Sequence, residues 1–209
     1  MGRRAGGLWS AIPNFVETEK IPFEPTVAND APLVFLSRIE SIKGPDIAID
    51  IAKACGRRII LAGNRAESGP ERKFWDEKIA GRIGRDGVEW IGEIGDSRKN
   101  DLLGRAAALV VPIQWDEPFG IVFAEALAAG TPVITCARGA APEIVRQGVT
   151  GFFINGVTEG AAAVARLHEI DRAACRRDAE SRFSCEACTD SYLALYREMT
   201  GANTGDGPA

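Results

Sequence analysis

Glu117-Pro118-Phe119-Gly120-Ile121-Val122-Phe123-Ala124-Glu125 runs on into Ala126-Leu127-Ala128-Ala129-Gly130-Thr131-Pro132-Val133-Ile134. Pro118 and Gly120 make the first part a turn. Residues 121–129 are all helix-tolerant, and Gly130 as C′ residue, with Pro132 soon after, ends the helix. Glu117 therefore lies in a loop and Glu125 on the second helical turn, eight positions further on. Ile121, Val122, Phe123, Leu127 and the alanines leave the helix apolar nearly all round, which predicts that it packs inside a domain. Glu125 is its one charge. An unpaired carboxylate in such a place is costly, so something must hydrogen-bond it. A sugar or ribose diol would serve; solvent or a structural Arg is the plainer alternative.

Working back along the chain, 107–112 reads as a short buried strand that delivers the loop 113–119 to this helix. Strand, loop and helix N-terminus in that order form an anion site, with free backbone N–H groups from Phe119 to Val122 and the positive end of the helix dipole. Two carboxylates would repel a phosphate unless cations offset them. Arg38 and Lys43 can do so: 33–37 reads as a strand, 45–55 as a helix, and both cations lie on the loop between. In an open parallel sheet such loops gather along the carboxyl edge, where ligands bind. An Arg fork and a Lys point charge suit a diphosphate, although ordinary solvated loop cations would leave the same pattern.

The rest of the chain alternates in the same way. Strands are predicted at 33–37, 58–62, 88–91, 108–112, 133–136 and 151–154, and helices at 45–55, 70–83, 97–106, 121–129 and 141–147. Such alternation means right-handed crossovers and an α/β fold: a doubly wound, mostly parallel six-stranded, Rossmann-like sheet covered on both faces. A helical tail is expected over 158–199, with Tyr192, Leu195 and Tyr196 as an exposed apolar stripe suited to another chain. Residues 1–8, rich in Arg and Gly, and 201–209 read as disordered.

Several motifs together carry a resemblance. They are Ser37-Arg38-Ile39 with Lys43-Gly44, Glu117-x7-Glu125 enclosing Pro118-Phe119-Gly120, Gly130-Thr131-Pro132-Val133-Ile134, Pro142-Glu143-Ile144-Val145 and Gly148-Val149-Thr150-Gly151. From about residue 32 to 199 the chain resembles the C-terminal, donor-binding domain of a family-four retaining glycosyltransferase of GT-B fold. Lys43-Gly44-Pro45-Asp46 and Pro112-Ile113-Gln114-Trp115-Asp116-Glu117 are most similar to a subgroup described as using UDP-glucose. The resemblance implies that Arg38 and Lys43, following Ser37, neutralise the donor diphosphate. It implies that Glu125 binds the ribose hydroxyls and that Glu117 contacts the donor sugar near the reacting carbon, so Glu117, Arg38 and Lys43 are the candidate catalytic groups. Backbone amides at Phe119, Gly120, Ile121 and Val122 would face phosphates or sugar, and Gly63, Glu93 and Ile94 the base. Ser37 stands where such enzymes commonly have Gly, and Phe15 replaces a hinge Gly in Ala11-Ile12-Pro13-Asn14-Phe15. The expected organisation is a hinge remnant over 1–30, a nucleotide-sugar-binding domain over 31–200 and a tail over 201–209.

A full enzyme of this kind has an N-terminal domain with the acceptor site and a functional His. The single His here, His168, lies in a charged helical stretch unlike any motif. The chain is thus expected to be a fragment, a shortened frame or a free-standing donor domain. It would be inactive alone, would use no cofactor or metal, and would partner an N-terminal domain or a second copy through its last helix. The alternative is a non-catalytic nucleotide-sugar-binding or interaction domain. Net charge of −4 argues against a nucleic-acid partner. The absence of an apolar run of ~18 residues or of a signal core makes a cytoplasmic protein the expectation. Five cysteines fit that compartment, and Cys185-Glu186-Ala187-Cys188 lacks the second pair of a zinc site. No G-x-G-x-x-G follows a predicted strand, which disfavours a dinucleotide oxidoreductase.

Overall fold

The computed structural model describes residues 10–200 and the backbone of Arg3–Arg4 and Gly7–Leu8, which pair antiparallel where disorder was expected. The expectation for 201–209 lies outside the described residues. Six strands form one sheet: β1 (Leu33–Leu36), β2 (Ile59–Ala62), β3 (Val88–Trp90), β4 (Ala108–Val111), β5 (Val133–Thr135) and β6 (Gly151–Phe153). Every pairing is parallel, and the spatial order is β3-β2-β1-β4-β5-β6. Leu33-Val34-Phe35-Leu36 and Ala108-Leu109-Val110-Val111 are buried throughout, as continuous apolar runs must be when both sheet faces are covered. Leu33 sits beside Ile59 on one side and Ala108 on the other. The chain winds outward from β1 to β3, then returns to lay β4 against β1. The crevice beyond the ends of β1 and β4 is therefore the point where strand order reverses, and open α/β sheets bind ligands there.

The helices are α1 (Pro45–Ala54), α2 (Gly69–Phe74), α3 (Asp96–Gly104), α4 (Ile121–Ala128), α5 (Ala141–Ile144), α6 (Val157–Ala165), α7 (Arg172–Phe183) and α8 (Cys185–Thr200). The predicted helix 70–83 is α2 continued by a π turn at Trp75–Ile79 and a 3-10 turn at Ala80–Arg82. The predicted helix 141–147 stops at Ile144. Arg182 takes the carbonyls of Glu143 and Ile144, and Thr150 Oγ1 takes the Arg146 N–H, so the helical ladder loses its partners. The tail breaks twice. Asp171 caps α7 by accepting from the Ala173 N–H at 2.9 Å, and Ser184, in extended backbone, accepts from the Ala187 N–H.

Residues 16–31 lie against the domain. The Val16 N–H donates to Phe183 O at 2.8 Å, and the Glu24 N–H to Ala129 O. The buried Arg172 guanidinium donates to the carbonyls of Glu24, Gly104 and Ala106 and to Thr131 Oγ1. Arg176 reaches the carbonyls of Thr18, Ile21 and Ala128. These two arginines fix α7 against the C-terminal end of α4. In α8 only Cys188 is buried. Tyr192, Leu193, Tyr196 and Met199 are exposed, while Leu195, expected in the exposed stripe, is half-buried. Cys175 is fully buried, and burial pushes its thiol up to about 12. Among the described residues no helix is long and apolar enough to cross a membrane.

Arg172→Met leaves three buried oxygens and the part-buried Glu24 carbonyl without this donor. We expect it to lower the unfolding free energy by about 3 kcal/mol, read from the urea midpoint. An unchanged midpoint would show that these oxygens do not depend on Arg172.

Candidate functional site

Two loops meet at the crevice beyond β1 and β4. The first leaves β1 through Ser37 and Arg38 and tightens into a 3-10 turn at Ser41–Lys43. Gly44 follows in the left-handed region at φ 71°, and a Cβ there would lie 2.3 Å from Pro112 O, so only glycine lets the loops approach so closely. The Gln114 N–H donates to Ile42 O at 2.7 Å, which ties the second loop to the first. Lys43 Nζ then meets Glu117 Oε2 at 2.5 Å, and Trp115 Nε1 donates to the same oxygen at 2.9 Å. The ammonium also stands 4.5 Å from the Trp115 ring centroid. The Lys43 and Glu117 side chains are only 10% and 13% exposed.

Glu117 leads into α4 through Gly120, whose φ of 84° and contact with the Phe123 ring exclude a side chain. Among the described residues no side chain caps α4, so its first amides, at Ile121 and Val122, stay open to the crevice. One turn on, Glu125 Oε1 accepts from Lys99 Nζ at 2.6 Å. Lys99 comes from α3 and also meets Asp96 Oδ1 at 2.8 Å. Burial pulls the Lys99 ammonium down, but its hydrogen bonds to Asp96 and Glu125 outweigh that and hold its pKa above the ordinary value. The partner that the lone charge of this apolar helix required is therefore a lysine within the chain.

These groups surround a cleft of about 280 Å³. Ser37, Lys43, Gly63, Glu93, Ile94, Glu117, Gly120, Ile121, Val122 and Glu125 line it. Gly63 is held by its own N–H to Gly92 O at 2.8 Å and by Trp90 Nε1 donating to its carbonyl at 2.9 Å. Two expected residues stand elsewhere. The Arg38 side chain is 58% exposed and pairs with Glu40 at 2.7 Å. Phe119 packs edge-on against Phe183 and lines a neighbouring cavity with Ile12 and Pro13. Two polar lining residues went unrecognised in the sequence, Asn64 and Lys99, as did the apolar Leu36, Ala62, Val111 and Phe123. Lys99 lies on a charged helix where one lysine looks like another; the signal was the unpaired Glu125 opposite.

The chemistry on offer is specific. An open helix N-terminus and Lys43 favour an anion, and each glutamate keeps one oxygen without a partner among the described residues, ready to accept from hydroxyls. Strand order and site together define a Rossmann-like α/β domain with a charged carboxyl-edge cleft. The chain belongs to the glycosyl transferases group 1 family, whose model matches residues 17–181. It is 36% identical over 183 residues to the D-inositol 3-phosphate glycosyltransferases of Mycobacterium tuberculosis and Mycobacterium bovis, a match that covers 81% of this chain and 37% of theirs. Among solved structures, AviGT4, a glycosyltransferase involved in avilamycin A biosynthesis, superposes with a TM-score of 0.71 at 30% identity, over 92% of this chain and 58% of that one. Anabaena HepE in complex with UDP-glucose shares the fold with a TM-score of 0.74 at 24% identity, over 90% of this chain and 57% of that one. The chain thus spans about a third of the length of the curated relatives it matches, and it corresponds to the C-terminal domain of the GT-B fold.

Lys43→Met strands the enclosed Glu117 carboxylate, and we expect a loss of about 3 kcal/mol in chemical denaturation, most of it regained in Lys43→Met/Glu117→Gln. Equal stability of Lys43→Met and the wild type would mean that Glu117 does not depend on this pair.

Proposed function

We propose that this domain binds a nucleoside diphosphate sugar, UDP-glucose, and supplies the donor half of a retaining hexosyl transfer. The observation that carries the reading is the pairing of an uncapped helix N-terminus with Lys43 between two half-committed glutamates. It is supported by the family membership and by the UDP-glucose complex of the fold neighbour HepE. The diphosphate would lie against the amides of Ile121 and Val122 and against Lys43, with Arg38 joining once it turns from Glu40. Glu125 would take the ribose hydroxyls and Glu117 those of the sugar. The base would lie along Gly63, Glu93 and Ile94.

In the transfer, the bond from the anomeric carbon to the diphosphate oxygen breaks and its electron pair leaves with the diphosphate. The cations and the helix dipole stabilise that charge. An acceptor hydroxyl attacks from the same face and its proton passes to the departing oxygen. The reading calls on no divalent cation, because Lys43, Arg38 and α4 supply the positive field. The acceptor would bind on a partner domain, and this domain alone would bind donor without turnover.

Calorimetric titration with UDP, UDP-glucose and GDP-mannose tests this. UDP and UDP-glucose should bind saturably and GDP-mannose weakly, with Glu125→Ala and Arg38→Ala each costing about 1–3 kcal/mol and EDTA changing nothing. Absence of binding up to millimolar concentration, or unchanged affinity in both variants, would overturn the proposal.

A further inference from the structure

We infer that Lys99 is a positioning residue that presents the Glu125 carboxylate to the vicinal diol of a bound nucleotide. The inference rests on the reading that Glu125 takes the ribose. Lys99 and Glu125 project from different helices, α3 and α4, which follow β3 and β4, strands with β2 and β1 between them, and their contact joins the two helices at 2.6 Å. Only Glu125 Oε1 is committed to it; Oε2 has no partner among the described residues. A carboxylate free at both oxygens could turn about its terminal bond. One held at Oε1 offers Oε2 in a fixed direction, which a directional pair of hydroxyl donors requires.

Charge points the same way. A bare carboxylate at 15% exposure beside a diphosphate would repel it, whereas a Lys99–Glu125 pair is neutral as a unit and still accepts strongly. The second partner of Lys99 does not account for its placement. The Asp96 side chain is 90% exposed, and a pair so open to water gains little. Nor is Lys99 packed on every side, since it also borders a second cavity of about 330 Å³ next to Phe15 and Asn100. Its ammonium stays charged at neutral pH, because the two carboxylates outweigh burial.

The test is calorimetric titration of the chain with UDP and with 2′,3′-dideoxy-UDP, for the wild type, Glu125→Gln, Lys99→Met and Lys99→Arg. The wild type should prefer UDP by about 30-fold, as expected for hydroxyls bonded to an ion, and Glu125→Gln should cut this to about 3-fold. Lys99→Met should collapse the preference to a similar degree, weakening UDP by far more than the dideoxy nucleotide, whose loss reflects only the bared Glu125 charge, and Lys99→Arg should restore most of the preference. A scaffold role would weaken both nucleotides by the same factor, and that result, which leaves the preference intact in Lys99→Met, overturns the inference. A preference that survives Glu125→Gln, or is absent from the wild type, instead removes the ribose reading on which the inference stands. Should Lys99→Met fail to fold, Lys99→Ala, which likewise removes the hydrogen bond to Glu125 Oε1, carries the same expectation.

Discussion

The ion pair between Lys43 and Glu117 exists because two loops that leave adjacent strands in the same direction must share the space beyond them. β1 and β4 pair in parallel, so their exits collide unless the chains turn apart or fit together. Gly44 against Pro112 O and the Ile42–Gln114 hydrogen bond make them fit, and Lys43 then reaches Glu117 with little freedom left. An enclosed ion pair gains little over an apolar pair of the same shape. Stability therefore gives no reason for charges at this junction. A ligand that brings both an anion and hydroxyls to it gives one, because each partner can trade its internal contact for one with the ligand.

The same logic organises the second carboxylate. Glu117 and Glu125 each commit one oxygen to a lysine, and the uncapped amides of Ile121 and Val122 lie between them. Positive and negative groups thus alternate along the cleft wall. Neither glutamate stands as a bare charge against a phosphate, and both keep acceptor capacity. Arg172 and Arg176 hold α4 from the far side by gathering carbonyls from the N-terminal segment and from the chain around its C-terminal end, so the donor-facing end of that helix is set by contacts remote from it.

Much of this was legible in the sequence because parallel strands buried on both faces read as continuous apolar runs. All six strands and their alternation with helices were read in the sequence, although that signal does not extend to the edge strand β3, where Glu89 is exposed between Val88 and Trp90, and the helix bearing Glu125 was bounded by Gly120 and Gly130. The details that escaped depend on partners far along the chain. α5 is cut short by Arg182 and Thr150, and the π turn at Trp75–Ile79 has no local composition to announce it. The Lys99–Glu125 contact joins residues 26 positions apart on two helices, and no periodicity marks it. Arg38 illustrates the reverse case. Its place after β1 was read correctly, but a neighbouring Glu40 holds the side chain in solvent, and only the fold shows which local partner wins.

The account turns on whether the junction between the two loops is where an anionic donor sits. A crystal structure of the chain with UDP-glucose addresses this most directly. The account predicts the diphosphate at the amides of Ile121 and Val122, Lys43 drawn from Glu117 toward it, and the ribose within hydrogen-bonding distance of Glu125. A nucleotide bound away from this cleft, or bound in it with Lys43 still closed on Glu117 and Glu125 untouched, would contradict it.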